Sequence, residues 1–361
     1  MEKVFTIRKE PKNKGFVLRL FTLKSLVIAL LLFPVIGIVN TNALELFVSS
    51  SDSDEVLVYK GTTGAFIDAF VPAMSGGLDR PQGINFGPDG NLYVSSFESD
   101  EVLRYNGTTG AFIDAFVSSG SGGLDGSAGL IFGPDGNLYV SSFSTNQVLR
   151  YDGTTGAFID AFVTAMSGGL NGPSDLIIGP DGNLYVSSFE SYEVLRYDGT
   201  TGTFIDAFVS SGSGGLATPV GLVFGPDSNL YVSSNVPNEV LRFNGLTGTF
   251  IDTFVPELSG GLNSPTGLAF GPDGNLYVGS SFTRQVLRYD GMTGAFIDAF
   301  ITSGSGGLDD PFFLVFRELP ESSSCAFAVR EEASPDLIIA LSILVIVVIS
   351  TRIIRKQKPQ L

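Results

Sequence analysis

The chain has 361 residues, 45 of them glycine, with no histidine or tryptophan and a formal charge of −16 at neutral pH. Runs of helix-favouring Ala, Glu, Lys and Gln are nearly absent, a balance that favours many short strands joined by glycine-rich turns. Residues 44–334 hold 34 acidic and 10 basic side chains, a balance of −24 that keeps the domain soluble and disfavours nucleic acid and anionic lipid as partners.

Residues 1–24 are basic through Lys3, Arg8, Lys9, Lys12, Lys14, Arg19 and Lys24. The apolar run Leu26–Val39 follows, and Asn40-Thr41-Asn42-Ala43 then offers small residues for cleavage after Ala43. Basic region, apolar run and small-residue site come in the order of a secretory signal peptide, so residues 1–43 predict export. The long basic region leaves an uncleaved signal anchor as the alternative.

From residue 44 onward the chain repeats. The tetrapeptide beginning at Asn91, Asn137, Asn183, Asn229 and Asn275 recurs every 46 residues, and one step back lands on a degenerate copy, Glu45-Leu46-Phe47-Val48. A strict period in the forties with several short strands per unit is the signature of a propeller. In the third copy the strand-like runs are Gly129–Phe132 (A), Asn137–Ser142 (B), Gln147–Tyr151 (C) and Ala157–Val163 (D). Gly133-Pro134-Asp135-Gly136-Asn137 places proline first in the A–B turn and glycine where φ must be positive, and Asp152-Gly153-Thr154-Thr155-Gly156 closes the C–D hairpin. Each unit is therefore one four-stranded antiparallel blade. The chain enters at a strand B (Leu46–Ser50) and ends on a strand A (Phe312–Phe316) with no B after it. Six complete blades form only if those two strands pair, which closes the ring and removes its free edges. The expected fold is an all-β six-bladed propeller over 44–316, followed by a linker, 317–335.

Cys325, in that linker, is the only cysteine of the sequence, so no intrachain disulfide is available, and without histidine nothing obvious activates its thiol. The apolar run Leu337–Ser350 follows, bounded by Asp336 before it and by Arg352, Arg355, Lys356 and Lys358 after it. To Thr351 the run spans about 22 Å as a helix, short of a hydrocarbon core of about 30 Å. Adding Ile353 and Ile354, with Arg352 snorkelling, brings it to about 27 Å. The expectation is a short membrane helix over 336–352 with a basic cytoplasmic tail, 353–361, and the repeats on the opposite side.

Two resemblances follow from these residues. The pattern Pro-x-Gly-Leu-x-Phe-Gly-Pro-Asp-Gly-Asn-Leu-Tyr-Val, then Glu-Val-Leu-Arg-Tyr-Asp-Gly, resembles the NHL repeat and the broader streptogramin-lyase-like and gluconolactonase-like propellers, over about 45–316. It implies that strand A is innermost and D outermost. Where NHL repeats often carry Asp after the strand B valine, this chain has Ser95-Ser96, Ser141-Ser142 and Ser187-Ser188. The C-terminal segment resembles PEP-CTERM sorting signals, although its motif reads Ser334-Pro335-Asp336, which favours a permanent anchor over processing.

Within the repeats, Arg104, Arg150, Arg196, Arg242 and Arg288 on strand C face Asp114, Asp160, Asp206, Asp252 and Asp298 on strand D, and Asp68 holds the same place in the first copy. They read as structural ion pairs across the hairpin. The Pro-Asp-Gly-Asn turns are rich in oxygen, but one turn supplies too few ligands for Ca²⁺. The residues that break the repeat are more informative. Alternation puts the A–B and C–D turns on one face and the B–C and D–A loops on the other, and it is the second set that varies. With strand A innermost, Arg80, Gln82, Asp125, Asn171, Asn263, Asp309 and Asp310 rim the channel, and Asn85 and Asp175 replace apolar or glycine residues on strand A. These residues form the expected binding site, for a protein, glycan or small ligand.

The expected function is a non-catalytic binding module on the cell surface or in the periplasm, with a divalent-metal-dependent hydrolase and a passive structural surface repeat as the alternatives. The resemblance implies histidine-dependent chemistry in streptogramin lyases and amidating lyases, which a histidine-free chain cannot supply. In gluconolactonase-like enzymes it implies a Ca²⁺- or Mg²⁺-type ion held by carboxylate and Asn side chains, for which Asp125, Asn171, Asp175, Asn263, Asp309 and Asp310 are the candidates here.

Overall fold

Strand B of each unit, Leu-Tyr-Val-Ser-Ser in blades 2–5, is buried along its whole length. A strand covered on both faces belongs in the middle of a stack of sheets, and the repeat builds that stack. The computed structural model describes residues 44–319 and shows six four-stranded antiparallel sheets, each in the order A-B-C-D. Blade 2, for example, is Pro81–Phe86, Leu92–Ser96, Glu101–Tyr105 and Phe112–Val117. The core lies between blades. Tyr93, Val102, Phe116 and Val117 of blade 2 pack on Leu130, Leu138, Val140, Leu149 and Tyr151 of blade 3, and the motif repeats around the ring.

The turns form as their residues require. Gly136, at φ 78°, donates its N–H to the Gly133 carbonyl at 3.0 Å, while the Asp135 carboxylate accepts from the Asn137 backbone and side-chain amides. These carboxylates are turned into their own turns, as plain hairpins demand. About half of the D–A connection is constant from copy to copy. Its Ser-Gly-Gly segment makes a 3₁₀ turn in every copy and the following leucine (Leu78, Leu124, Leu170) is buried, so change falls on the three residues before that segment, such as Pro72–Met74 and Pro256–Leu258, and on the few before strand A.

Two side-chain staples tie blade to blade. The strand C tyrosine hydroxyls of Tyr59, Tyr105, Tyr151, Tyr197 and Tyr289 donate to serine carbonyls in the 3₁₀ turn of the preceding blade, at 2.7–2.8 Å. Blade 5 has Phe243 there and lacks the bond. The Ser-Ser pair supplies the second staple. The Ser141 hydroxyl accepts from the Gly129 N–H at 2.7 Å and donates to the Ser174 carbonyl of the next blade at 3.0 Å, and the Ser142 hydroxyl accepts from the Asp125 N–H and donates to the Asp125 carbonyl. Tyr105→Phe, which removes one of the two bonds to the Ser75 carbonyl (the Leu78 N–H supplies the other), is expected to cost about 1 kcal/mol in urea unfolding. Phe243→Tyr should recover stability of the same order.

The ring closes as expected. Leu44–Ser50 pairs antiparallel with Pro311–Glu318, Leu46 opposite Phe316 and Val48 opposite Leu314. The closing strand runs to Glu318, two residues past the expected end of the domain. Those residues include Arg317. Its guanidinium lies 4.6 Å from the Phe47 ring and 4.4 Å from Phe86, and pairs with Glu45 at 2.7 Å. The expected leader (1–43) and the C-terminal anchor and tail (336–361) lie outside the described residues. No helix among the described residues is long and apolar enough to cross a membrane.

Candidate binding site at the channel mouth

Strand A lines the channel. Adjacent A strands approach so closely that a Cβ at Gly83 would sit 2.5 Å from the Ala128 carbonyl oxygen, and one at Gly221 would sit 2.5 Å from that of Thr266. This contact explains the glycine in four of the six blades. The ladder then sets what the channel sees. Gly225 donates to the Asn229 carbonyl, so alternation leaves Leu222 and Phe224 with N–H and C=O groups turned away from strand B and toward the axis.

Asp175 replaces the glycine in blade 4 and uses those groups. One carboxylate oxygen accepts from the Leu176 N–H and the other from the Leu222 N–H of blade 5, each at 2.8 Å. The side chain keeps part of its surface open to the lumen, but protein surrounds it. Burial pushes the carboxyl up to about 7, against the pull of the Leu222 and Leu176 N–H groups. Asp175 therefore lies in the channel wall as a bridge between two inner strands.

Above it the mouth opens as a cavity of about 220 Å³, lined in part by Arg80, Gln82, Ser174, Asn235 and Phe312. Val220 and, from the B–C loops of blades 2–4, Phe97, Phe143 and Phe189 complete the lining, with successive phenylalanine ring centroids 6.0 Å apart. At the same position blades 5, 6 and 1 carry Asn235, Ser281 and Ser51. The mouth is thus an aromatic arc facing a polar one. The Arg80 guanidinium lies 5.8 Å from the Phe97 ring and bonds Glu98 at 2.9 Å, and the Ser281 hydroxyl donates to Asp310. Burial raises the Asp310 carboxyl; the Ser281 bond opposes it, Asp52 and Asp309 add to the rise and Arg80 counters them.

Of the residues expected at the rim, Arg80 and Gln82 line this cavity, whereas Asp310 is bonded to Ser281 outside its lining. Asp125, Asn171 and Asn263 sit one per blade, their backbone amides held by Ser142, Ser188 and Ser280. Asp309 pairs with Arg284 at 2.9 Å. Asn85 lies away from the mouth, since its counterparts Ile131, Ile177 and Val223 pack against the core of the next blade. The three phenylalanines repeat from blade to blade, so variation among the copies does not single them out. Their signal was the exchange of Ser-Ser-Phe for Ser-Ser-Asn in blade 5.

This donor set does not fit a catalytic divalent ion. Such an ion needs several converging oxygens, whereas Asp175 is committed to two N–H groups and the rim residues stand apart. Among the described residues no three His, Cys, Asp or Glu side chains gather.

No family model and no curated protein sequence matches the chain. Solved structures do. A nidogen–laminin complex contains a chain with a TM-score of 0.61 and 14% identity, covering 76% of this chain and 98% of that one. A catalytically inactive virginiamycin B lyase from Staphylococcus aureus, with quinupristin, gives 0.53 and 14%, covering 78% and 93%. A gluconolactonase from Xanthomonas campestris gives 0.52 and 18%, covering 70% and 82%. The shared feature is the propeller. At these identities the likeness carries the fold and leaves the activity to the site itself.

Proposed function

We propose that this protein is an exported, membrane-anchored propeller that acts as a non-catalytic binding module, holding part of a partner in the mouth of its channel. The cavity carries the reading. Its 220 Å³ exceeds the roughly 150 Å³ that accommodates benzene and falls below the roughly 300–1,000 Å³ of a drug-sized site. It suits one ring-sized group projecting from a larger molecule, with an apolar face on Phe97, Phe143 and Phe189 and polar atoms toward Arg80, Gln82 and Asn235. A protruding protein side chain and a terminal sugar both have that form. One structural neighbour comes from a complex between two proteins, which accords with such a role. Export rests on the basic, apolar and small-residue order of 1–43, and anchoring on the apolar run that precedes Arg352 and Arg355.

Glycan and peptide arrays probed with the full chain test this reading. The expected result is a set of ligands sharing a terminal ring, whose binding weakens at least tenfold in Phe143→Ser. Binding indifferent to Phe143→Ser and Gln82→Ala would overturn it, as would turnover of gluconolactone with added Ca²⁺ or Mg²⁺.

A further inference from the structure

Blades 2–6 show what the C–D hairpin holds. In each, a strand C arginine crosses to the strand D aspartate and makes a forked pair. Arg104 donates from Nε at 3.0 Å and Nη2 at 2.6 Å to the two oxygens of Asp114, and its guanidinium lies 4.9 Å from the Phe116 ring. Blades 3–6 repeat this geometry to within about 0.2 Å.

Blade 1 keeps the aspartate and the phenylalanine and has no arginine. Val58 stands opposite Asp68 in the register that elsewhere pairs Arg104 with Asp114. Arg317 comes nearest to replacing it, but its guanidinium is drawn to Glu45 and sits between Phe47 and Phe86, 5.7 Å from Phe70. Asp68 is exposed and pairs with no cation among the described residues. A groove of about 1,110 Å³ opens beside Asp68, lined by Val58, Asp68, Phe70, Glu45 and Arg317 and by the C–D turn Gly107–Ala111 of blade 2, whose Gly107 carbonyl accepts from the Arg317 guanidinium.

From this we infer that the blade 1 groove is a docking site for an arginine side chain of a partner polypeptide, gripped by Asp68 over the Phe70 ring as the protein grips its own arginines in blades 2–6. The fork of the guanidinium matches a carboxylate in two bonds, which an ammonium cannot do. The groove's volume of about 1,110 Å³ exceeds that of one side chain, and the acidic domain draws a basic segment toward it. This site is on the turn face, away from the channel mouth, and does not depend on the mouth being a binding site.

Saturation-transfer NMR on the full chain with the blocked tripeptide Gly-Arg-Gly, and with Gly-Lys-Gly for comparison, tests the inference. Transfer to the arginine side-chain protons is expected with affinity in the millimolar range, at least fivefold stronger than for the lysine peptide. Asp68→Asn, an exposed change, should weaken it at least fivefold. Val58→Arg, which restores the repeat and fills the site from within, should abolish it. Phe143→Ser should leave it unchanged. Equal response to the two peptides, or transfer that survives both Asp68→Asn and Val58→Arg, would overturn the inference. Loss on Phe143→Ser alone would also sink it, since the arginine would then be bound at the mouth.

Discussion

A chain ending at Asp310 is expected to lose cooperative thermal unfolding and to associate through its open edge. Among the described residues Pro311–Glu318 is the one strand paired with the inner side of Leu44–Ser50, whose Leu46, Phe47 and Val48 are fully buried. Its removal uncovers those side chains, discards Leu314, Val315 and Phe316 from two core clusters, and leaves a strand with unpaired N–H and C=O groups. Each buried apolar side chain contributes about 1.5–3 kcal/mol, so half a dozen outweigh much of the ~5–15 kcal/mol net stability of an ordinary domain. Arg317→Ala probes the same seam more gently. It leaves Glu45 without its cation and uncovers Phe47 and Phe86, at a cost of about 2 kcal/mol. Circular dichroism melts and gel filtration would check both; a truncated chain that stays monomeric with an unchanged midpoint would contradict the closure.

The second large effect is a pH dependence centred on Asp175. Its carboxyl, near 3.9 in the unfolded chain, is pushed up to about 7 in the channel wall. The folded state therefore holds a proton that the unfolded state has released. The resulting contribution to stability is fully present below about pH 4, is lost as pH rises toward 7, and stays lost above it, with a magnitude on the order of a few kcal/mol. Asp175→Asn removes the titration and keeps one acceptor for the Leu176 and Leu222 N–H groups. The variant is expected to be the more stable protein at pH 8, and to lose that advantage at pH 4, where the wild-type group is protonated. Urea midpoints at the two values measure the crossover. A constant difference between the proteins would show that Asp175 does not titrate in this window.

The sequence shows the ring more readily than it shows the site. A period of 46 residues and a chain that starts on strand B and stops on strand A determine blade count and closure, because antiparallel pairing permits one way to satisfy both ends. Asp175 was visible as a break in a glycine column. Its partner was not, since Leu222 lies on another blade and becomes a neighbour only when the ring forms. The Ser-Ser pair reads as a departure from a resembling repeat, and only the close approach of successive A strands reveals it as a staple. Arg317 falls outside the period altogether. It stacks on Phe47 and Phe86 because the closing strand ends without the turn that follows every other strand A. The aromatic arc was hidden for the opposite reason, being too regular to attract notice.

Hydrogen exchange of the full chain, free and bound to the strongest array ligand, tests the central claim most directly. The account predicts slowed exchange in the loops carrying Phe97, Phe143 and Phe189 and in the segment Asp79–Gln82, with the A–B turns unchanged. Protection confined to the turn face, with the channel mouth exchanging as in the free protein, would contradict it.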